Sequence, residues 1–306
     1  MTDKDAKLTQ AENLLKQNQH SQAIKILKEV YKKNSSEESI LLKLAWAYYD
    51  SGDIKQAIGC FQELFERELP RKVFAGFAFD ELVRIYKQEK DFCSLVEICQ
   101  RAVASQPDDI NLLMELVNAY LLTGRSQEAC AVCEKMLNLE SDNSAIYCLW
   151  GNALFTAGLF AESERAYLRA ARIDPEQEDY YLFKLAILFQ EAENHKEAIR
   201  IVKRCIAENP DNPLYYCFWG DSLIGLNQIK EACRIYDQAV QCGERKDTGA
   251  YYNRLGNSLM KARRFSEAAL SFRKALEQET NPAYYNNLIS ACRAIEHEDG
   301  TQKPSS

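Results

Sequence analysis

Residues 144–177 read SAIYCLWGNALFTAGLFAESERAYLRAARIDPEQ, and the landmarks of this stretch recur along nearly the whole chain. Taking Ser163 as reference, Trp150 stands thirteen residues before it, Gly151 twelve before, Tyr167 four after and Pro175 twelve after. The same offsets place Trp219, Gly220 and Tyr236 around Ala232, and Leu255, Gly256 and Phe272 around Ala268; Pro107 and Pro210 repeat the proline after Leu95 and Ala198. The markers themselves, Ala23, Ala57, Leu95, Ala129, Ser163, Ala198, Ala232 and Ala268, are spaced by 34, 38, 34, 34, 35, 34 and 36 residues. A period near 34 is that of stacked helix pairs, each of which buries its apolar face only against a neighbouring pair.

Each unit divides into a first helix, A, and a second, B, with apolar residues at three- and four-residue spacing. In residues 144–177, Tyr147, Trp150, Gly151 and Leu154 mark one face of helix A, while Tyr167 and Ala170 mark helix B. A residue without bulk is needed where two helix axes approach closely, which gives Gly151, Gly220 and Gly256 a packing role. If Trp150 is buried, its replacement by alanine should cost about 3–5 kcal/mol. Asn212-Pro213 and Asn281-Pro282 read as helix starts, with a side-chain acceptor at the N-cap and a preset φ at the first helical position.

The pattern W/L-x-x-L/W-G/A/V-x-x-Y/L/F, followed by A, F/Y and A, resembles the tetratricopeptide repeat. The resemblance implies an all-α fold, a right-handed superhelical solenoid of antiparallel helix pairs, with units at 4–37, 38–71, 76–109, 110–143, 144–177, 179–212, 213–246 and 249–282. A capping helix is expected over 283–296, giving one solenoid over 4–296 and a polar, disordered tail over 297–306. Leu95 and Ser163 depart from alanine, and Lys7 and Gln10 occupy positions of the first unit that the family fills with apolar or small residues. Between units two and three, the stretch from Pro70 to Ala75 adds residues, so a shifted superhelical angle is expected there.

With 306 residues and 46% hydrophobic content, the chain can build an extensive core. A net charge of −7 argues against a general nucleic-acid or anionic-membrane surface, and Lys261, Arg263 and Arg264 read as a solvated helix end. The N-terminus, MTDKDAKLTQAENLL, has no apolar h-region, and no run of about eighteen apolar residues occurs anywhere, so a soluble cytoplasmic protein without membrane insertion is expected. The eleven cysteines are odd in number, and Cys99, Cys133 and Cys205 fall at core positions, which fits free thiols in a reducing compartment. Cys130 and Cys133 form the one CxxC but lack a second pair or suitably spaced histidines; His20, His195 and His297 are scattered. No phosphate-binding or dinucleotide fingerprint is present. No catalytic residue, metal or cofactor is therefore expected.

In this family helix A lines the concave side, and its positions 2, 5, 6, 9, 12 and 13 define a prospective groove. The candidate residues are Trp46, Tyr49, Met114, Asn118, Leu149, Asn152, Phe155, Phe183, Ile187, Phe218, Asp221, Asn253 and Asn257, with Leu42, Leu121, Leu122 and Ile224 beside them. An apolar strip rimmed by amides suits an extended peptide or an amphipathic helix; internal packing is the alternative for each apolar residue. A joint Phe155→Glu, Phe183→Glu change is expected to abolish binding with helicity and melting nearly unchanged. Some co-chaperones of the family grip a C-terminal carboxylate with lysines and asparagines, but only Asn257 and Asn287 fit that set and Asn253 stands where a lysine is needed. The function expected is a non-catalytic protein–protein interaction scaffold or adaptor. The alternatives are a self-assembling structural subunit that stacks through its ends or convex face, and a regulatory or targeting subunit of a separate enzyme.

Overall fold

The computed structural model describes residues 3–71 and 77–301, and these form α-helices and short 3₁₀ turns without a strand. The chain divides into two compact units, Met1–Ser141 and Asp142–Ser306. The first holds α1 (Asp3–Lys16), α2 (His20–Lys33), α3 (Glu38–Asp50), α4 (Ile54–Glu68), α5 (Phe77–Glu89), α6 (Phe92–Ser105), α7 (Ile110–Leu122) and α8 (Ser126–Leu139). The second holds α9 (Ser144–Thr156), α10 (Phe160–Ile173), α11 (Glu178–Glu191), α12 (His195–Glu208), α13 (Pro213–Gly225), α14 (Ile229–Cys242), α15 (Thr248–Lys261), α16 (Phe265–Gln278) and α17 (Pro282–Thr301). Within each unit every helix packs on the next in sequence, which is the arrangement of an all-α solenoid. Odd-numbered helices are the A helices and even-numbered ones the B helices.

The eight repeat markers, from Ala23 to Ala268, are all 0% exposed. Leu95 meets this demand with an apolar side chain. Ser163 meets it by donating its hydroxyl to the Gly151 carbonyl at 2.8 Å, so the polar atom enters the core with a partner. In the first repeat Lys7 stays partly exposed and pairs with Glu29 at 3.7 Å, while Ala11 and Ala23 are buried. A cation is tolerated there because its head reaches solvent.

One residue in every A-to-B turn lies in the left-handed region: Asn18, Gly52, Lys90, Gly124, Gly158, Glu193, Asn227 and Arg263, with φ between 56° and 83°. Each stands five residues before its marker. The turns close as Schellman motifs: the Asn194 N–H donates to the Phe189 carbonyl at 2.8 Å and the Glu193 N–H to the Gln190 carbonyl at 2.9 Å. Glycine adopts this conformation freely, whereas Lys90, Glu193 and Arg263 carry a Cβ there at a cost of about 1–2 kcal/mol each.

A Cβ added at Gly151 or Gly220 would lie under 3.0 Å from the ring of Tyr167 or Tyr236, which fixes how closely helix B approaches helix A. Both helix starts anticipated from asparagine and proline are present. The Asn212 side chain accepts from the Leu214 N–H at 3.1 Å, and Asn281 accepts from the Ala283 N–H at 2.9 Å. After α4 a short 3₁₀ turn covers Leu69–Arg71; residues 72–76, which carry most of the inserted stretch, lie outside the described residues. At the other end α17 continues to Thr301, so the first residues of the expected polar tail are helical. No proline interrupts that stretch, and Arg263 ties to Glu298 at 3.4 Å. Residues 302–306 lie outside the described residues. Among the described residues no helix is long and apolar enough to cross a membrane.

Candidate protein-interaction surface

In the first unit the A-helix residues satisfy one another through charge. Trp46 packs edge-on against Tyr49 and Phe61, with centroids 5.9 and 5.6 Å apart. The Arg84 guanidinium lies 4.7 Å above the Tyr49 ring and 5.8 Å from Trp46. The same guanidinium donates to the Tyr49 hydroxyl at 2.9 Å and to Glu81 at 2.8 Å. Lys43 pairs with Glu12 and, further along, Lys87 with Glu115 at 2.8 Å. Trp46 and Tyr49 are therefore half-buried beneath a cation. Met114, Asn118 and Leu121 are half-buried and Leu122 is exposed.

In the second unit several of the apolar candidates are core. Leu149, Phe155, Phe218 and Ile224 are buried, Phe155 at 9% exposure. Phe155 packs 4.9 Å from Phe160 and 5.1 Å from Phe189, whereas Phe183 lies 4.8 Å from Tyr215 and 5.1 Å from Phe218. Their position on helix A turns them toward aromatic residues of a neighbouring repeat. A charge at Phe155 would be buried, so the expectation that Phe155→Glu with Phe183→Glu leaves melting unchanged does not survive this geometry. Trp150 is only half-buried, which moves the 3–5 kcal/mol class of loss to fully enclosed rings such as Tyr167 and Tyr236.

The polar candidates divide in the same way. Asp221 accepts from the Tyr236 hydroxyl at 2.5 Å, from Ser258 at 2.6 Å, and from Arg254 through Nε at 3.0 Å and Nη2 at 2.8 Å. It thus joins α13 to α14 and α15. Asn152, at the same position two repeats earlier, accepts from the Tyr167 hydroxyl. In the last full repeat Phe272 replaces tyrosine and has no hydroxyl to offer, and Asn257 is exposed. Asn253 accepts from the Asn287 amide at 2.9 Å, so both amides serve the contact between α15 and α17. Burial pushes the Tyr167 and Tyr236 phenols well above their ordinary range, keeping them as neutral donors.

Leu159, Phe160, Leu270 and Tyr285 face outward in the second unit, as does a pair at the start of two consecutive A helices. Tyr180 is 45% exposed and Leu214, one repeat on, is 49% exposed. Phe183 and Ile187 lie half-buried on the same helix as Tyr180, and the Lys184 ammonium sits 4.9 Å from the Tyr180 ring centroid. At the opposite end of these helices lies a cavity of about 570 Å³ lined by Gln190, Glu191, Glu193, His195, Asp221, Ile224, Gly225, Ser258, Lys261 and Ala262. Neither Tyr180 and Leu214 nor Gln190, Glu191, Glu193 and Lys261 is a sequence candidate. The first pair occupies position 2 of helix A, and Glu193 occupies the recurrent left-handed position; a constant offset from the marker could have exposed both.

Cys99, Cys133, Cys205 and Cys217 are buried and Cys93 is exposed. Desolvation raises the buried thiols, to about 12 for Cys99, Cys205 and Cys217. The basic residues after α15 are engaged on the surface, Arg263 with Glu298 and Arg264 with Glu267.

Tetratricopeptide-repeat family models match residues 14–70 in the first unit and 148–213 and 217–284 in the second. The chain is a tetratricopeptide repeat protein. The human Superkiller complex protein 3 is 24% identical over 160 residues, which is 52% of this chain and 10% of that protein. The chain therefore spans a small part of that relative's length. A tetratricopeptide repeat protein from Parabacteroides merdae ATCC 43184 superposes with a TM-score of 0.53 at 17% identity, covering 83% of this chain and 98% of that one. The MamA protein gives a TM-score of 0.42 at 19% identity over 55% of this chain and 91% of its own. The tetratricopeptide repeat is an interaction scaffold, typically non-catalytic.

Proposed function

We propose that the chain is a non-catalytic adaptor whose second unit holds a segment of a partner protein along its A-helix face. The observation that carries this reading is the pair Tyr180 and Leu214, about half exposed and one repeat apart, with Phe183 and Ile187 half-buried beside Tyr180. Two exposed apolar residues one repeat apart offer anchoring sites for side chains of an extended segment or one stripe of an amphipathic helix. The exposed candidate Asn257 keeps the status of a groove residue; Leu149, Phe155 and Phe218 support the surface from beneath, and Met114 and Asn118, which belong to the first unit, fall outside it. The human relative is named as a protein of a complex, which accords with a role exercised through protein partners.

The test is a peptide-display selection against the folded chain, followed by affinity measurement on Tyr180→Asp, Leu214→Asp protein. Both substitutions fall on exposed positions, so melting should stay within about 2 °C of wild type. Selected segments should lose at least about tenfold in affinity, which corresponds to 1.4 kcal/mol. Full affinity in the folded double variant would refute this surface.

A further inference from the structure

The cavity at the far end of the same A helices combines apolar wall with charged and amide side chains and is unbalanced in charge. Its walls come from α11 (Gln190, Glu191), the following turn (Glu193), the first residue of α12 (His195), the end of α13 and the end of α15. Three carboxylates line it. Asp221 is neutralised by Arg254, but Glu191 and Glu193 form no ion pair among the described residues, and Lys261 is the single lysine or arginine in the lining. Counting Arg254, one further positive charge would bring this open pocket, whose Glu191 and Glu193 are solvent-exposed, to neutrality.

We propose that this cavity receives an arginine side chain of the bound partner segment, a refinement that rests on the adaptor reading above. A guanidinium is planar and presents five donors, which matches two carboxylates two residues apart together with the Gln190 and Ser258 oxygens. Ile224 and Ala262 supply apolar wall for the methylene stem. The neighbouring Asp221 already holds one guanidinium through two nitrogens, so the end of this A-helix face has the chemistry for a second. Glu193 adopts the left-handed conformation that Gly52, Gly124 and Gly158 fill without cost in other turns, and there it contributes to the cavity wall. A partner segment would then present an apolar or aromatic residue to Tyr180 and Leu214 and an arginine to the cavity.

Amide-resolved NMR titration of the full chain with N-acetyl-arginine methylamide and with its neutral isostere N-acetyl-citrulline methylamide tests this. The arginine probe should give saturable shifts at residues 190–195, 224–225 and 258–262, with the isostere at least about tenfold weaker. Glu191→Gln with Glu193→Gln should lose at least about tenfold. Glu193→Gly should weaken the arginine probe while melting is unchanged or raised, because the turn is relieved of its Cβ. Equal binding of the two probes, shifts located elsewhere, or wild-type binding by the folded glutamine variant would overturn the proposal. In Tyr180→Asp, Leu214→Asp protein the arginine probe should bind as in wild type. If it fails in all proteins while display-selected segments still require Tyr180 and Leu214, the cavity proposal falls and the adaptor surface stands. The converse result removes the surface and leaves the cavity.

Discussion

The A-helix faces of the two units are made from the same repeat yet use opposite chemistry. In the first, Lys43 meets Glu12, Arg84 meets Glu81 and covers Tyr49, and Lys87 meets Glu115. In the second, Phe155 meets Phe160 and Phe189, Phe183 meets Tyr215 and Phe218, and a single carboxylate, Asp221, gathers donors from three side chains. Exposed ion pairs hold each other at little net gain and offer a ligand few unsatisfied groups. An aromatic layer stabilises the stack, and on the same A helices Tyr180 and Leu214 are about half exposed. The repeat geometry dictates where side chains stand, and residue type at those positions decides whether a face is closed or open to a partner.

The comparison breaks most readily at the aromatic layer. Phe155→Ala should cost about 3–5 kcal/mol, because the ring is enclosed on several sides and leaves a cavity. Thermal unfolding should show the loss; a change below about 1 kcal/mol would mean that the layer is not what holds the second unit's A helices together. Asp221→Ala comes next, at about 2–3 kcal/mol, since it strands the Arg254 guanidinium and the buried Tyr236 hydroxyl. Denaturant titration against Asn152→Ala, which removes a single neutral acceptor worth about 1 kcal/mol, checks that ranking.

Phe272→Tyr sharpens the comparison in the stabilising direction. It restores the hydroxyl that Tyr167 offers Asn152 and should give about 0.5–1 kcal/mol if Asn257 accepts it. The smallest effect belongs to the first unit's charge ladder. Lys87→Ala should change stability by at most about 0.5–1 kcal/mol, and the difference should shrink further in high salt. Thiol labelling gives a separate reading of burial: at pH 8 the exposed Cys93 should react first, while Cys99, Cys205 and Cys217, raised to about 12 by burial, should react only on unfolding.

Sequence spacing alone placed the helix pairs, because a marker recurring every 34 or so residues reports the one position where helix B crosses helix A. Even the departures at Leu95 and Ser163 kept the rule, which is burial, while the residue type varied. The close-approach role of Gly151 and Gly220 was legible for the same reason. The groove was less legible. Position on helix A indicates a face, but Phe155 and Phe218 stand under aromatic neighbours from another repeat, and a linear pattern does not contain that cover. Asp221 likewise reads as a free acid until Arg254, thirty-three residues away, is seen to occupy it. The left-handed turn position was hidden because glycine, asparagine, lysine, glutamate and arginine share it.

The most direct measurement is the affinity of one display-selected segment for two folded variants, Tyr180→Asp with Leu214→Asp in the second unit and Leu122→Asp on the exposed A-helix edge of the first. A partner surface on the second unit's A-helix face requires a loss of at least about tenfold in the former and wild-type affinity in the latter. Wild-type affinity in the former, or an equal loss in both, would contradict it.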